Sequence, residues 1–155
     1  MSGLTWSLIL AASVLGENRT YGDAHAQAQS QGKPLLVLVG AEWCPGCRTL
    51  KHQTMPRLVR AGKLSGVEFA VVDSDQEPAL ARRLMRGNSI PQLILFTRTA
   101  EGWKRGQLTG AQAERTIESF VQAATAEHVA QQVVPAGATE SAGAREGGEA
   151  DAGGR

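Results

Sequence analysis

The stretch AEWCPGCRTL, residues 41–50, contains the two cysteines of the chain, Cys44 and Cys47. It follows a short apolar run, LLVLV at 35–39, of the kind typical of a strand that is buried on both faces. Pro45 suits the first position of a helix, because its missing N–H leaves no hydrogen bond unmade there. The pattern therefore predicts a buried strand, a loop, and a helix that begins at the cysteine pair.

This placement favours redox chemistry at the two cysteines. Near the N-cap, the N–H groups of the first helical turn and the helix dipole stabilise a thiolate at Cys44. Cys47 is expected one turn later, on the same face and deeper, where it can attack a mixed disulfide formed at Cys44. Cys44 is therefore the expected nucleophile and Cys47 the expected resolving thiol.

Two other kinds of site compete with redox exchange. A zinc site needs four ligands, and the three histidines at 25, 52 and 128 stand at no recognisable partner spacing from the cysteines. A purely structural disulfide across so short a loop would stabilise the fold little. We expect no metal and no cofactor, and metal delivery by the pair is an alternative that remains open.

Length and composition limit the classes of protein to which the chain can belong. The chain has 155 residues and 42% hydrophobic residues, which fits one soluble domain that needs no disulfide scaffold. The formal net charge of +1, without a basic face interleaved with aromatics, argues against nucleic acid as a partner. We expect a monomer.

The two ends differ from the middle of the chain. Residues 1–19 hold an apolar run from Leu4 to Leu15 that has the length of a signal-peptide core and is too short for a stable membrane span. It predicts export to the bacterial periplasm or cell envelope, although no Lys or Arg precedes it, so a cytoplasmic protein is the alternative. Residues 135–155, built from Gly, Ala and charged residues, predict a disordered tail, which leaves 20–134 as the domain.

The hydrophobic pattern between these ends predicts strands that alternate with helices, followed by a late hairpin. Pro56 is expected to interrupt the helix that begins at Cys44 and to start a second short one. The fold class is α/β, a central mixed β-sheet flanked by helices. The other predicted elements are helices at 20–31, 77–86 and 111 to about 130, and strands at 67–73, 92–96 and, as an edge strand, 102–110.

Three segments in this order resemble the thioredoxin superfamily: GKPLLVLVGAEWCPGCR at 32–48, VVDSDQEPALARRL at 71–84 and SIPQLILF at 89–96. They look closer to thioredoxin-like domains found outside the cytoplasm than to housekeeping thioredoxin. The resemblance implies a thioredoxin-like fold and a protein-disulfide oxidoreductase. Its partners would be client proteins with thiols or disulfides, and a reductase or oxidase that resets the pair. A non-catalytic thioredoxin-like module that only binds a partner protein is the alternative.

The resemblance also implies roles for residues around the pair. Pro91 matches a cis proline that lies against the active-site sulfurs, and the backbone of Ile90 would pair with an extended substrate. Trp43 would shape the docking surface, and Pro45 and Gly46 would contribute to substrate binding. From the residues alone, Pro91 also fits a trans strand start, and Trp43 a packing role.

Several positions depart from thioredoxin itself. Leu38 and Val71 stand where thioredoxin has a buried Asp and a Lys that help move protons. Glu42 is a candidate substitute, although a solvated loop carboxylate is the simpler interpretation. Gln92 replaces the common Thr after the cis proline, and Pro-Gly replaces Gly-Pro between the cysteines. The sequence therefore leaves open whether the pair reduces, oxidises or isomerises disulfides.

Overall fold

The computed structural model describes residues 20–132. The predicted signal segment at 1–19 and the predicted tail at 135–155 lie outside the described residues, so both remain predictions. Within 20–132, no helix combines the length and the apolar character that crossing a membrane requires.

Helices and strands alternate along the described residues. The order is α1 (Tyr21–Gln31), β1 (Leu35–Gly40), α2 (Pro45–Thr49), a π-helical segment (Leu50–Thr54), α3 (Met55–Arg60), β2 (Glu68–Asp73), α4 (Pro78–Leu84), β3 (Gln92–Thr99), β4 (Gly102–Thr109) and α5 (Glu114–Gln132).

The four strands form one mixed sheet in the order β2-β1-β3-β4. Strand β1 runs parallel to β2 and antiparallel to β3, and β4 pairs with β3 in a hairpin. The predicted α/β class with a central mixed sheet is confirmed, and β4 is an edge strand as expected.

Strand β1 is the centre of the core, because all six of its residues are buried. Leu36 and Leu38 belong to one apolar cluster, which also contains buried residues of α3 and α5. Leu35 and Val37 point the opposite way, into a second cluster with Ala24 of α1 and residues of α4. Because alternate side chains of a strand face opposite sides of the sheet, β1 contributes to the apolar clusters on both faces of the sheet, as its continuous apolar run predicts.

The prediction at Pro56 is confirmed in part: a second short helix, α3, has Pro56 in its first turn, but the chain stays helical from Pro45 to Arg60 and is not interrupted. The π-helical segment, in which the Met55 N–H donates to the Leu50 carbonyl, connects α2 to α3 without a break in the helical backbone. Pro56 lies in the first turn of α3, where no backbone N–H is required. A regular α-helix would place Met55 about 80° around the axis from Cys47. The extra residue in the turn brings Met55 back toward the core, where it is 1% exposed.

Helix α5 begins at Glu114 rather than at the predicted Ala111. The side chain of Gln112 donates to the carbonyls of Thr109 and Gly110, and such local bonds compete with a helical turn. Other boundaries also shift, since α4 ends at Leu84, two residues early, and β3 extends to Thr99. The buried residues of α5 are Ile117, Val121 and Ala124, which pack in the same apolar cluster as Leu36 and Leu38.

Candidate active site

The two cysteines lie at the junction between β1 and α2. Cys44 is the N-cap residue of α2 and Pro45 its first residue, the positions that the sequence predicts. The Cys44 sulfur accepts a hydrogen bond of 3.2 Å from the Cys47 backbone N–H. The pair is joined as a disulfide with 5.2 Å between the Cα atoms, and Cys47 is the more buried of the two, 4% exposed against 7%.

Gly40, the last residue of β1, makes room for Cys47. A Cβ atom placed on Gly40 would lie 2.9 Å from both the Cβ and the sulfur of Cys47, a distance that no real contact tolerates. The strand end is therefore glycine because the cysteine packs directly on its backbone. Gly40 is not recognisable as a site residue from the sequence alone, although a glycine that ends an apolar strand often marks such a close approach.

The loop before β3 reaches the cysteine motif from the other side. The Ile90–Pro91 peptide bond is cis, as the resemblance implies. A Cβ placed on Gly46 would lie 3.6 Å from Pro91 Cδ and 3.3 Å from Ala111 Cβ, so Pro91 and Ala111 pack against the helix start. Ile90 is half-buried beside it. The structure thus brings Pro91 against Gly46 of the motif that holds Cys44 and Cys47, although Pro91 is far from that motif in sequence.

Trp43 stands on the surface next to the pair, with 69% of its area exposed. Its indole N–H donates a 2.9 Å hydrogen bond to Asp75 in the turn after β2. That turn is fixed in its own right, because Asp73 accepts from the backbone N–H groups of Asp75 and Gln76. The indole is therefore held in place facing solvent rather than packed in the core, and the sequence did not reveal the part that Asp75 plays.

A family model described as thioredoxin-like matches residues 17–97, more than half of the chain. The chain belongs to the thioredoxin-like family. A thioredoxin-like domain with a C-x-x-C pair in disulfide geometry is the architecture of a thiol–disulfide oxidoreductase in general terms.

Solved thioredoxins share this fold. The thioredoxin of Thermus thermophilus is 26% identical over 67% of this chain and 82% of its own, with a TM-score of 0.52. That of Trichomonas vaginalis is 26% identical over 69% of this chain and 93% of its own, with a TM-score of 0.51. Chloroplastic thioredoxin z gives a TM-score of 0.58 at 20% identity, over 71% and 94%, a similarity of fold alone. No curated protein sequence matches the chain.

Two positions behind Cys47 in this thioredoxin-like domain are apolar, although Glu42, Arg48, Lys51 and Asp73 also line the cavity there. Leu38 and Val71 are paired neighbours on β1 and β2, and Leu38 is fully buried. Together with Cys47 they line a cavity of about 10 Å³, which is at the lower limit for one water molecule. At the two positions where thioredoxin keeps an Asp and a Lys, this domain therefore has no side chain that can carry a proton.

Glu42 lies at the rim of the same cavity and is half-exposed. Its carboxylate accepts a hydrogen bond from Lys51 and lies 3.6 Å from the His52 ring. The hydrogen bond and the positive charge of Lys51 hold the pKa of Glu42 below its ordinary value. A carboxyl group with a lowered pKa is a weaker base, so this geometry favours the solvated ion pair over a proton acceptor for Cys47.

The ion pair of Glu42 predicts a pH dependence of stability. Because the pKa is lower in the folded than in the unfolded chain, the pair stabilises the fold above the unfolded value, about 4.3, and this contribution is lost as pH falls through the folded pKa. We expect Glu42→Gln to flatten that acidic part of the stability curve and to change redox activity at neutral pH by less than about twofold. Urea unfolding at pH 3 to 7 and an activity assay measure both. A large loss of activity at neutral pH would instead place Glu42 in the proton path.

Within residues 20–132, no cluster of three or more His, Cys, Asp or Glu side chains could hold a metal ion. His52, the histidine nearest to the pair in sequence, is exposed and faces Glu42.

Proposed function

We propose that this chain exchanges disulfides with cysteines of client proteins, with Cys44 as nucleophile and Cys47 as resolving thiol. The observation that carries the proposal is the position of the pair at a helix start, with Pro91 packed beside it. The hydrogen bond from the Cys47 N–H to the Cys44 sulfur supports these roles, because the same N–H can stabilise a thiolate at Cys44 in the reduced protein.

Each turnover moves two electrons. The Cys44 thiolate attacks one sulfur of a client disulfide, a Cys44–client bond forms, and the other client sulfur leaves as a thiolate. The Cys47 thiolate then attacks Cys44, the intramolecular disulfide closes, and the second client thiolate is released. The client is reduced and the pair oxidised, and a dithiol partner returns the pair to its reduced form. The same steps in reverse oxidise a client dithiol.

The client would dock between two surfaces that flank the pair. Trp43 offers an exposed indole on one side, held by Asp75. Pro91 lies on the other side, next to Gly46, and Ile90 directly precedes it. An extended segment placed between them would present its sulfur to Cys44, and the backbone of Ile90 is the group we propose to pair with it.

Insulin reduction tests the proposal. With dithiothreitol as electron donor, we expect the wild-type chain to accelerate insulin precipitation by about tenfold or more over dithiothreitol alone, because positioning makes the exchange effectively intramolecular. The double variant Cys44→Ser, Cys47→Ser is the control and should return the rate to background. A wild-type chain that binds a disulfide-containing peptide but leaves the rate at background would instead be a binding module.

A further inference from the structure

Gln92, the first residue of β3, has a buried side-chain amide whose nitrogen and oxygen both make hydrogen bonds. Gln92 is 0% exposed. Its Nε2 donates to the carbonyls of Arg86, at 3.0 Å, and of Ser89, at 2.9 Å. Its Oε1 accepts from the Arg86 N–H at 3.2 Å. All three partners are backbone groups in the segment that precedes Ile90 and Pro91.

Backbone hydrogen bonds hold the two ends of that segment, from the Met85 N–H to the Ala81 carbonyl and from the Gly110 N–H to the Pro91 carbonyl, whereas the Gln92 amide bonds its middle. Residues 85–91, between α4 and β3, form neither helix nor strand, and residues 86–89 are exposed. Gln92 itself is fixed, since it pairs with Val39 of β1 on one side and with Thr109 of β4 on the other. The amide therefore ties an irregular loop to the centre of the sheet.

The loop that Gln92 bonds leads directly into Ile90 and Pro91, which form one wall of the active site. Ile90 follows Ser89 directly, and Pro91 packs beside Gly46 of the cysteine motif. A shift of the Arg86–Ser89 backbone would move the Ile90 peptide groups relative to Cys44. The Gln92 amide has two donors and an acceptor, and it makes three hydrogen bonds to backbone groups. It therefore restricts such a shift more than the single hydroxyl of a threonine would at this position.

We propose that Gln92 is a positioning residue for client binding, which acts by holding the Arg86–Ser89 loop so that Ile90 meets an extended client segment at a fixed place. The proposal rests on the proposed function and specifies which side chain sets the geometry of its docking surface. Gln92 touches neither the client nor the sulfurs.

Gln92→Met tests this role, because Met has a similar volume but leaves the three backbone groups without partners. We expect KM for insulin to rise about tenfold, with kcat for insulin and the rate of reduction of a small disulfide, 5,5′-dithiobis(2-nitrobenzoate), changed by less than about twofold. Amide hydrogen exchange at Arg86 should accelerate, while the amides of β1 stay protected. Gln122→Met, at an exposed position on α5 where the side chain bonds Glu118, is the matched control.

Gln92→Glu is the second variant, in case methionine impairs folding. It keeps the length but has at most one donor, the O–H of the protonated carboxyl, so at least one of the two donated hydrogen bonds is lost and KM for insulin should again rise. Equal loss with insulin and with the small disulfide, or an unchanged KM although exchange at Arg86 accelerates, would overturn the positioning role. A wild-type chain that reduces neither substrate would overturn the proposed function itself, so the two failures are distinguishable.

Discussion

Cys44→Ser is expected to lower disulfide-exchange activity by at least about a thousandfold, because a serine hydroxyl is not ionised near neutral pH and cannot form the mixed disulfide. The fold should persist, since the disulfide that is lost closes a loop too short to stabilise the fold much, and the sulfur otherwise makes one hydrogen bond beside a well-packed strand. Insulin reduction and reduction of a small disulfide measure the loss, with circular dichroism to verify folding.

Cys47→Ser is the matched control for that experiment. It retains the nucleophile and removes only the resolving thiol, so a covalent adduct with the client should accumulate and be visible on a non-reducing gel. Cys44→Ser should give no such adduct. If the adduct formed with Cys44→Ser and not with Cys47→Ser, the two roles would be reversed.

Gly40→Ala is expected to produce the second large effect, a loss of about 1–3 kcal/mol in the free energy of unfolding. The new Cβ would lie 2.9 Å from Cys47, so either the strand end or the cysteine must move. Because Cys47 is the proposed resolving thiol, turnover should fall as well, by about tenfold. Urea unfolding of the oxidised protein and insulin reduction measure the two effects.

Gly22→Ala provides the comparison for the same chemical change. Gly22 lies in α1, and its nearest neighbour in the direction of a Cβ is the Thr20 hydroxyl at 3.9 Å. An alanine there should leave stability unchanged or raise it by up to about 1 kcal/mol, because alanine favours helix over glycine. A Gly40→Ala variant as stable and active as Gly22→Ala would refute the steric argument.

Much of the architecture follows from local sequence patterns. The continuous apolar run before the cysteines predicts a central strand, and Thr20 and Gly32 bound α1, with Gly32 in a left-handed conformation. Pro45 predicts the helix start at the motif. These features depend on near neighbours in the chain, which is why the sequence alone is sufficient for them.

The rest of the site depends on contacts between distant segments. The Trp43–Asp75 hydrogen bond and the packing of Pro91 against Gly46 join such segments. The fit of Cys47 on Gly40 and the bonds of the Gln92 amide to Arg86 and Ser89 span short stretches of chain, but they form only with the backbone geometry of the folded sheet and loop. The π turn before Pro56 is a local feature that the sequence nevertheless missed, because a proline inside a helical pattern ordinarily indicates a break.

The cysteine pair and the Ile90–Pro91 side of the proposed client groove rest on supports of unequal rigidity. The cysteine pair follows β1, whose residues are buried and paired on both sides, and such a strand opens only with much of the domain. Pro91 is buried and its carbonyl accepts from the Gly110 N–H, but residues 86–89, before Ile90, are exposed and are joined to the sheet by the Gln92 side chain. We therefore expect the width of the groove to vary on the Ile90 side, while the sulfurs keep their place against the sheet.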